Sequence, residues 1–326
     1  MNILITGGIG FIATKLIVNL QQEKKLVVAG KWHDIKQIHA LDIFDSTNKI
    51  SDVIYHKHSL TDAELTASLV RQIKPDVVIH LAAVVSSAAE ADFDLGVNVN
   101  IEATRYLLDA CRNLDKTPHF IFASSVAVFS GVKCVTDSTT PMPSSTYGMT
   151  KVVGEYLVHE YSRKGFVHGL AVRLPTIAVR PGKPNLAASS FVSSIIREPL
   201  NGEKAVCPVD KDLSLWISSP NMVVKNLLHA ISLDIVNNPI YQTINLPGIS
   251  VTVEQMIASL VSCKGDAGLI EWEENLNIKI IVSQWPEKML TNIASELDFH
   301  QDISITEIVN QYIAEENIII SKTECA

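Results

Sequence analysis

The chain has 326 residues, 47% of them apolar and 19% charged, which suits an enzyme-sized globular protein with one large core or two modest ones. Its net charge of -8, with no run of Lys or Arg, argues against a nucleic-acid surface. No apolar stretch reaches the ~20 residues that span a bilayer, and no basic-then-apolar leader precedes the first apolar run, so a cytoplasmic protein with small-molecule partners, no nucleic acid and no membrane is expected.

In chain order, the first predicted strand is ILIT (residues 3–6), which runs into TGGIGFIATK (6–15) and a predicted helix FIATKLIVNLQ. LVVA (26–29), VVIHLAA (77–83), FIFASS (120–125) and LAVRLP (170–175) are the next strands, and ATRYLLDACRNL between them carries apolar residues at helical spacing. Continuous apolar strands alternating with helices predict a doubly wound parallel α/β sheet covered on both faces. After about residue 176 the rhythm breaks into PGKPN, REPLNGE and CPVDKD, with one more strand-like run, YQTINL (241–246). The expected organisation is a dinucleotide-binding Rossmann domain over 1–176, with 218–246 returning to it, and a smaller C-terminal substrate lobe from 177–217 and 247–326. Cys111, Cys134, Cys207, Cys263 and Cys325 are odd in number and scattered, which predicts neither a disulfide framework nor a metal site.

The glycines of TGGIGFIATK lie where a strand hands over to a helix N-terminus. Gly7 and Gly8 allow the tight turn, Gly10 lets the backbone approach a pyrophosphate, and the helix offers unpaired N–H groups. Ala13 stands where a third glycine is usual, but that position only has to let helix and strand pack closely. At the end of the second predicted strand, LVVAGKWHDIK presents Lys31 about 20 residues past the turn and Asp34 three later. Asp34 suits a ribose diol and hence NAD, Lys31 a 2′-phosphate and hence NADP, and both stay open.

STYGMTK (145–151) places Tyr147 and Lys151 four apart, on one face of a helix. A tyrosine is a poor base at neutral pH unless a nearby cation stabilises its phenolate, which Lys151 can do. Ser124 and Ser125 end the strand FIFASS at the sheet edge where open α/β sheets bind ligands, Asn100 begins a nearby helix, and LAAVV offers small residues for close cofactor contact.

Together TGGIGFIA, LAA, ASSVAVF and YGMTK resemble the extended short-chain dehydrogenase/reductase superfamily, over essentially the whole chain and in the expected order. The resemblance implies Ser125, Tyr147 and Lys151 as the catalytic triad, with Asn100 supporting Lys151 through water. It implies cofactor contacts at Gly7, Gly10, Phe11, Ile12, Ser59, Leu60, Leu81, Ala82, Ala83, Asn100, Ser124, Tyr147, Lys151 and Pro175, with Lys31 or Asp34 at the ribose. Ala13, Lys31, and Ser59-Leu60 in place of an Asp-Leu pair depart from the family pattern. A homodimer through helices near 100–113 and 147–162 is also implied.

LAAVVSSAAEADFDLGVNVN, RLPTIAVRPGKPNLAASSF and SIIREPLNGEKAVCPV resemble, within the superfamily, dehydrogenases that oxidise the 2-hydroxyl of a four-carbon sugar acid with NAD. Such a substrate needs a cation for its carboxylate, for which Arg180 and Lys183 are candidates, and polar groups for its hydroxyls, for which Ser86, Ser87, Ser125, Thr176 and Asn185 are candidates. Trp216 is the candidate pocket wall. The same motifs admit a nucleotide-sugar epimerase or dehydratase, and a nucleotide-sensing protein without turnover, although the latter would not need both Tyr147 and Lys151.

Overall fold

The computed structural model describes residues 1–183, 187–235 and 243–318. Strand β1 (Asn2–Thr6) leads into helix α1 (Phe11–Glu23) and a hairpin of β2 (Lys25–Val28) and β3 (Lys31–Asp34), followed by β4 (Gln37–Asp42) and β5 (Val53–Lys57). Then come α2 (Ala63–Ile73), β6 (Val77–His80), α3 (Ser86–Ala91), α4 (Phe93–Val97), a π turn at Asn98–Glu102, α5 (Ala103–Arg112) and β7 (His119–Ser125). The middle of the chain holds β8 (Cys134–Thr136), α6 (Thr146–Arg163), β9 (His168–Leu174), β10 (Thr176–Ile177), α7 (Ser190–Leu200), β11 (Ala205–Cys207) and β12 (Ser214–Ser218). The last third comprises α8 (Pro220–Ser232), β13 (Thr243–Asn245), β14 (Ile249–Thr252), α9 (Val253–Ser262), β15 (Ile270–Trp272), α10 (Leu276–Val282), β16 (Lys288–Leu290), α11 (Asn292–Glu296) and α12 (Ile305–Glu315).

Seven parallel strands form the main sheet in the order β13-β9-β7-β6-β1-β4-β5. The chain moves outward from β1 to β4 and β5, then returns to lay β6 on the other side of β1. That reversal opens a crevice at the carboxyl ends of β1 and β6, the switch point at which doubly wound sheets bind ligands. Alternation along β1 explains the two-faced burial. Ile3 and Ile5 pack with Leu16, Leu20 and Leu227 of α1 and α8, while Leu4 packs with Val70, Leu107 and Val158 of α2, α5 and α6. Ala13 is buried in the first of these cores, so its methyl is a packing group between helix and sheet.

A second core gathers α7, α9 and α12 around the three strands β10-β12-β14, with Ile195, Leu215, Met256 and Val309 at its centre. Within the last third of the chain, Ala294 and Phe299 pack into the first core instead. A strap joins the two halves, because β16 pairs in parallel with β8.

LVVA is not a strand of the main sheet. Residues 25–34 form an antiparallel hairpin whose turn residues Ala29 and Gly30 have φ of 47° and 74°, the left-handed pair that two-residue hairpins favour. The strand that follows β1 in the main sheet, paired beside it, is β4, QIHALD. The sequence reading of Lys31 and Asp34 as the end of the second sheet strand is therefore corrected: both are exposed on the hairpin, with Asp34 3.6 Å from Lys25.

Candidate active site and cofactor cleft

The carboxyl edge of the sheet holds two adjoining hollows. The larger, about 570 Å³, is lined by Gly7, Gly10, Asp42, Phe44, Ser59, Leu60, Leu81, Ala82 and Ala83, among others. Close approach explains the glycines. A Cβ on Gly7, whose φ is +67°, would lie 2.9 Å from the Ala82 amide nitrogen, and one on Gly8 would lie 2.8 Å from Ala40. The Gly8 N–H donates to Leu41 O at 3.0 Å, so the turn is bolted to β4 and brings the end of that strand under it. Asp42, the last residue of β4, accepts from the amides of Ile9 at 3.4 Å and Phe44 at 3.3 Å. At the start of α1, Gly10 is the N-cap with no side-chain cap bond, and the first turn holds no acidic residue. That leaves N–H groups and the helix dipole for an anion, so the cleft fits a dinucleotide: pyrophosphate at Gly7 to Gly10, a ribose diol at Asp42.

Beneath this cleft His80, the last residue of β6, is buried and pushed down to about 3 by that burial, so it is neutral. Thr104 donates its hydroxyl proton to Asn100 O at 2.8 Å, and therefore accepts from His80 Nε2 at 2.9 Å. His80 Nδ1 is then the acceptor for the Thr6 hydroxyl at 2.6 Å, tying β1, β6 and α5 together below the crevice.

The second hollow, about 130 Å³, is lined by Ser86, Ser124, Ser125, Tyr147, Thr176, Arg180 and Trp285 together with small and apolar groups. Ser145 caps α6 by accepting from the Gly148 amide at 3.1 Å, which starts the helix so that Tyr147 and Lys151 fall one turn apart. Burial pushes the Tyr147 phenol up to about 12, against a hydrogen bond with Ser125 and the charge of Arg180, both of which lower it. Lys151 is buried, donates to Ala123 O at 2.8 Å and lies 5.6 Å from the Tyr147 ring centre. Burial holds Lys151 down to about 8 while Glu155, one turn on, pulls it up. It is therefore mostly charged at neutral pH.

Glu155 anchors a buried network. It accepts from Ser124 Oγ at 2.5 Å and from Arg173 at 2.8 and 2.7 Å, and Arg173 also reaches Asn245 at 3.2 Å. Ser124, predicted among the cofactor contacts, thus holds α6 against β7 while lining the small hollow. Asn100 accepts from the Val84 amide at 2.8 Å and donates to Val84 O at 3.1 Å and Thr150 Oγ1 at 3.0 Å. Both of its N–H groups are used within the protein, so it fixes the loop after β6 against the residue preceding Lys151.

The other predicted residues divide. Phe11 and Ile12 begin α1, Ile12 buried in the first core and Phe11 with its ring 5.9 Å under the Arg180 guanidinium. Pro175 and Thr176 line the small hollow, where Ser86 also accepts from the Ala188 amide at 3.0 Å. Ser87 follows on α3, outside that lining, and Lys183 is exposed. Asn185 lies outside the described residues. Arg180 is half-buried: desolvation and the nearby Arg197 both push it below its ordinary value, and Tyr147 raises it. Trp216 is not the wall expected. Its indole donates to Leu246 O at 3.3 Å, in a separate cluster with Phe129 and Met289. Sequence reasoning missed Asp42 and Trp285. An acid closing the apolar run IHALD was a signal for the first, while nothing local in SQWPEK marks the second.

Residues 3–216 match the model of the NAD dependent epimerase/dehydratase family. The chain belongs to that family. It is 44% identical to the D-erythronate dehydrogenase of Haemophilus influenzae over 319 residues, 96% of this chain and 99% of that protein. It is 43% identical to the D-erythronate dehydrogenase of Cupriavidus necator, over 96% and 98% of the two chains. The crystal structure of a nucleoside-diphosphate-sugar epimerase from Agrobacterium tumefaciens matches with a TM-score of 0.90 at 34% identity, covering 98% of this chain and 96% of that one.

Proposed function

We propose that this protein oxidises the C2 hydroxyl of D-erythronate, with NAD as the hydride acceptor. The observation that carries the reading is the hollow of about 130 Å³ beside Tyr147, lined by Ser86, Ser125 and Thr176 together with the half-buried Arg180. Pockets for drug-sized ligands run ~300–1,000 Å³, so this one suits a small acid and is too tight for a nucleotide diphosphate sugar. Arg180 is the counter-ion for the carboxylate, and Ser86 and Thr176 take the distal hydroxyls.

Tyr147 removes the proton of the C2 hydroxyl, and Ser125 orients that oxygen as it becomes a carbonyl. A phenol at about 12 is a poor base at neutral pH, and positive charge is what brings it down. Arg180 is the charge that lowers it in this chain, and Lys151, 5.6 Å from the Tyr147 ring centre, is the second cation within reach. When bound, oxidised nicotinamide supplies the hydride acceptor and a further positive charge. Asp42 accepts from the adenosine ribose, which favours NAD over a 2′-phosphorylated cofactor.

In this reading the enzyme is a cytoplasmic homodimer through α5 and α6, which light scattering tests. The reaction is tested with a panel of four-carbon sugar acids and of UDP- and dTDP-sugars, with NAD and NADP, following absorbance of the reduced nicotinamide and the sugar products. D-Erythronate-dependent reduction of NAD is expected. Conversion of a nucleotide sugar with no acid oxidised replaces the reading with the epimerase alternative.

A further inference from the structure

Among the described residues, everything that lines the small hollow falls between Val85 and Ser189, with one exception. Trp285 comes from the last third of the chain and is the largest side chain in that lining. It sits on the strap between α10 and β16, and the strap is pinned on both sides of it. The Gly131 amide donates to Gln284 O at 3.0 Å, and the amides of Glu287 and Lys288 donate to Lys133 O at 2.9 and 3.0 Å. Parallel pairing of Lys288–Leu290 with Cys134–Thr136 extends the same attachment. The Trp285 amide itself donates to Val282 O at 3.2 Å, which fixes the residue to the end of α10. Its indole is 8% exposed and packs in the second core with Ala127 and Val282, the cluster against which the Tyr147 ring also rests.

We infer that Trp285 is the residue that sets the upper limit on substrate length, a fixed wall that admits a four-carbon acid and turns away five- and six-carbon homologues. The inference rests on the proposed oxidation of a small sugar acid and adds the element that selects among such acids. The physical argument is steric. With Arg180 holding one end of the substrate and Tyr147 the reacting hydroxyl, extra carbons must go toward lining that yields or lining that does not. Ser86, Thr176 and Ser189 are short, but Trp285 is a rigid ring with two rotatable bonds, wedged in a core and on a backbone held at both ends. A wall of this kind is set by the fold, whereas a lid would adapt to each ligand.

The experiment measures kcat/KM with NAD for aldonates of four, five and six carbons, in the wild-type protein and in Trp285→Ala and Trp285→Leu, with melting temperatures for each. In the wild type, efficiency is expected to fall at least ~10-fold beyond four carbons, the lower end of what one methylene costs in a fitted pocket. In either folded variant, the ratio of longer to four-carbon acid is expected to rise by at least that factor. Equal use of all lengths by the wild type overturns the inference whether or not the variants fold. An unchanged ratio in a folded variant overturns it too, while leaving the oxidation itself standing. A wild type that oxidises no sugar acid of any length overturns the proposed reaction, and this inference with it.

Discussion

The two hollows at the sheet edge are built differently. The larger is lined largely by successive strand ends and the residues just past them, Gly7 and Gly10 after β1, Asp42 closing β4 with Phe44 beyond it, Ser59 and Leu60 after β5, Leu81 to Ala83 after β6. The smaller takes side chains from far apart in the chain, Ser86, Ser125, Tyr147, Arg180 and Trp285. A dinucleotide presents the same phosphates and ribose to every protein that binds it, so helix N-terminus and strand-end geometry suffice. A small acid must be distinguished from many others, and that takes individual side chains set by long-range packing.

The largest expected effect falls wholly on the second hollow. Tyr147→Phe should lower kcat by at least ~100-fold, the low end for losing a general base, with the dissociation constant for NAD nearly unchanged. Near-normal turnover in the folded variant removes Tyr147 as the base. A comparable loss of NAD affinity would mean that the two hollows are not separable.

Arg180→Met should come next, lowering kcat/KM for the acid ~10- to 100-fold, the range for losing hydrogen bonds to a charged group. Because the Arg180 cation lowers Tyr147, its removal leaves the phenol higher still. The rising limb of the pH–rate profile should therefore move to higher pH. Loss of affinity with no movement of that limb would leave Arg180 a binding group without influence on the base.

Asp42→Ala tests the first hollow in turn. The ratio of kcat/KM for NAD to that for NADP should fall ~10-fold, as the ribose loses charge-assisted hydrogen bonds and the repulsion of a 2′-phosphate is removed. Turnover at saturating NAD should change little.

The contrast also governs what the sequence made legible. Strand-to-helix handover at TGGIGFIATK and the one-turn spacing of Tyr147 and Lys151 are local, so periodicity and turn chemistry reveal them. LVVA misled because its composition suits either a central strand or a hairpin arm, and periodicity cannot choose between a parallel neighbour and an antiparallel one. Ala29-Gly30, followed by the polar KWHD, was the sign of a hairpin. Trp285 was out of reach, because its place depends on the strap pairing β16 with β8, a contact across about half the chain. Trp216 misleads for the same reason: only packing decides which tryptophan lines the hollow beside Tyr147.

The smallest expected effect is none, and it bears most directly on how the cleft is built. The hairpin leaves from the N-terminal edge of the sheet, where the Met1 ammonium donates to Asp34 O at 2.7 Å and the Lys36 amide donates to Met1 O at 2.8 Å, and its turn beside Lys31 is held to the end of α8, the Gly30 amide donating to Ser232 O at 3.0 Å. Asp42 lies past Leu41, the partner of Thr6, at the opposite end of β1. A five-residue strand rising ~3.3 Å per residue separates those edges by ~16 Å, well beyond the ~10 Å screening length at 0.1 M salt. Lys31→Asp should thus leave the NAD-to-NADP ratio within about twofold of wild type, although a reading of spacing alone would have it raise NAD preference. A tenfold rise would return the adenosine end of the cofactor to the hairpin and undo the assignment of Asp42, whereas no change beside a clear Asp42→Ala effect puts the selecting residue at the end of the strand that pairs with β1.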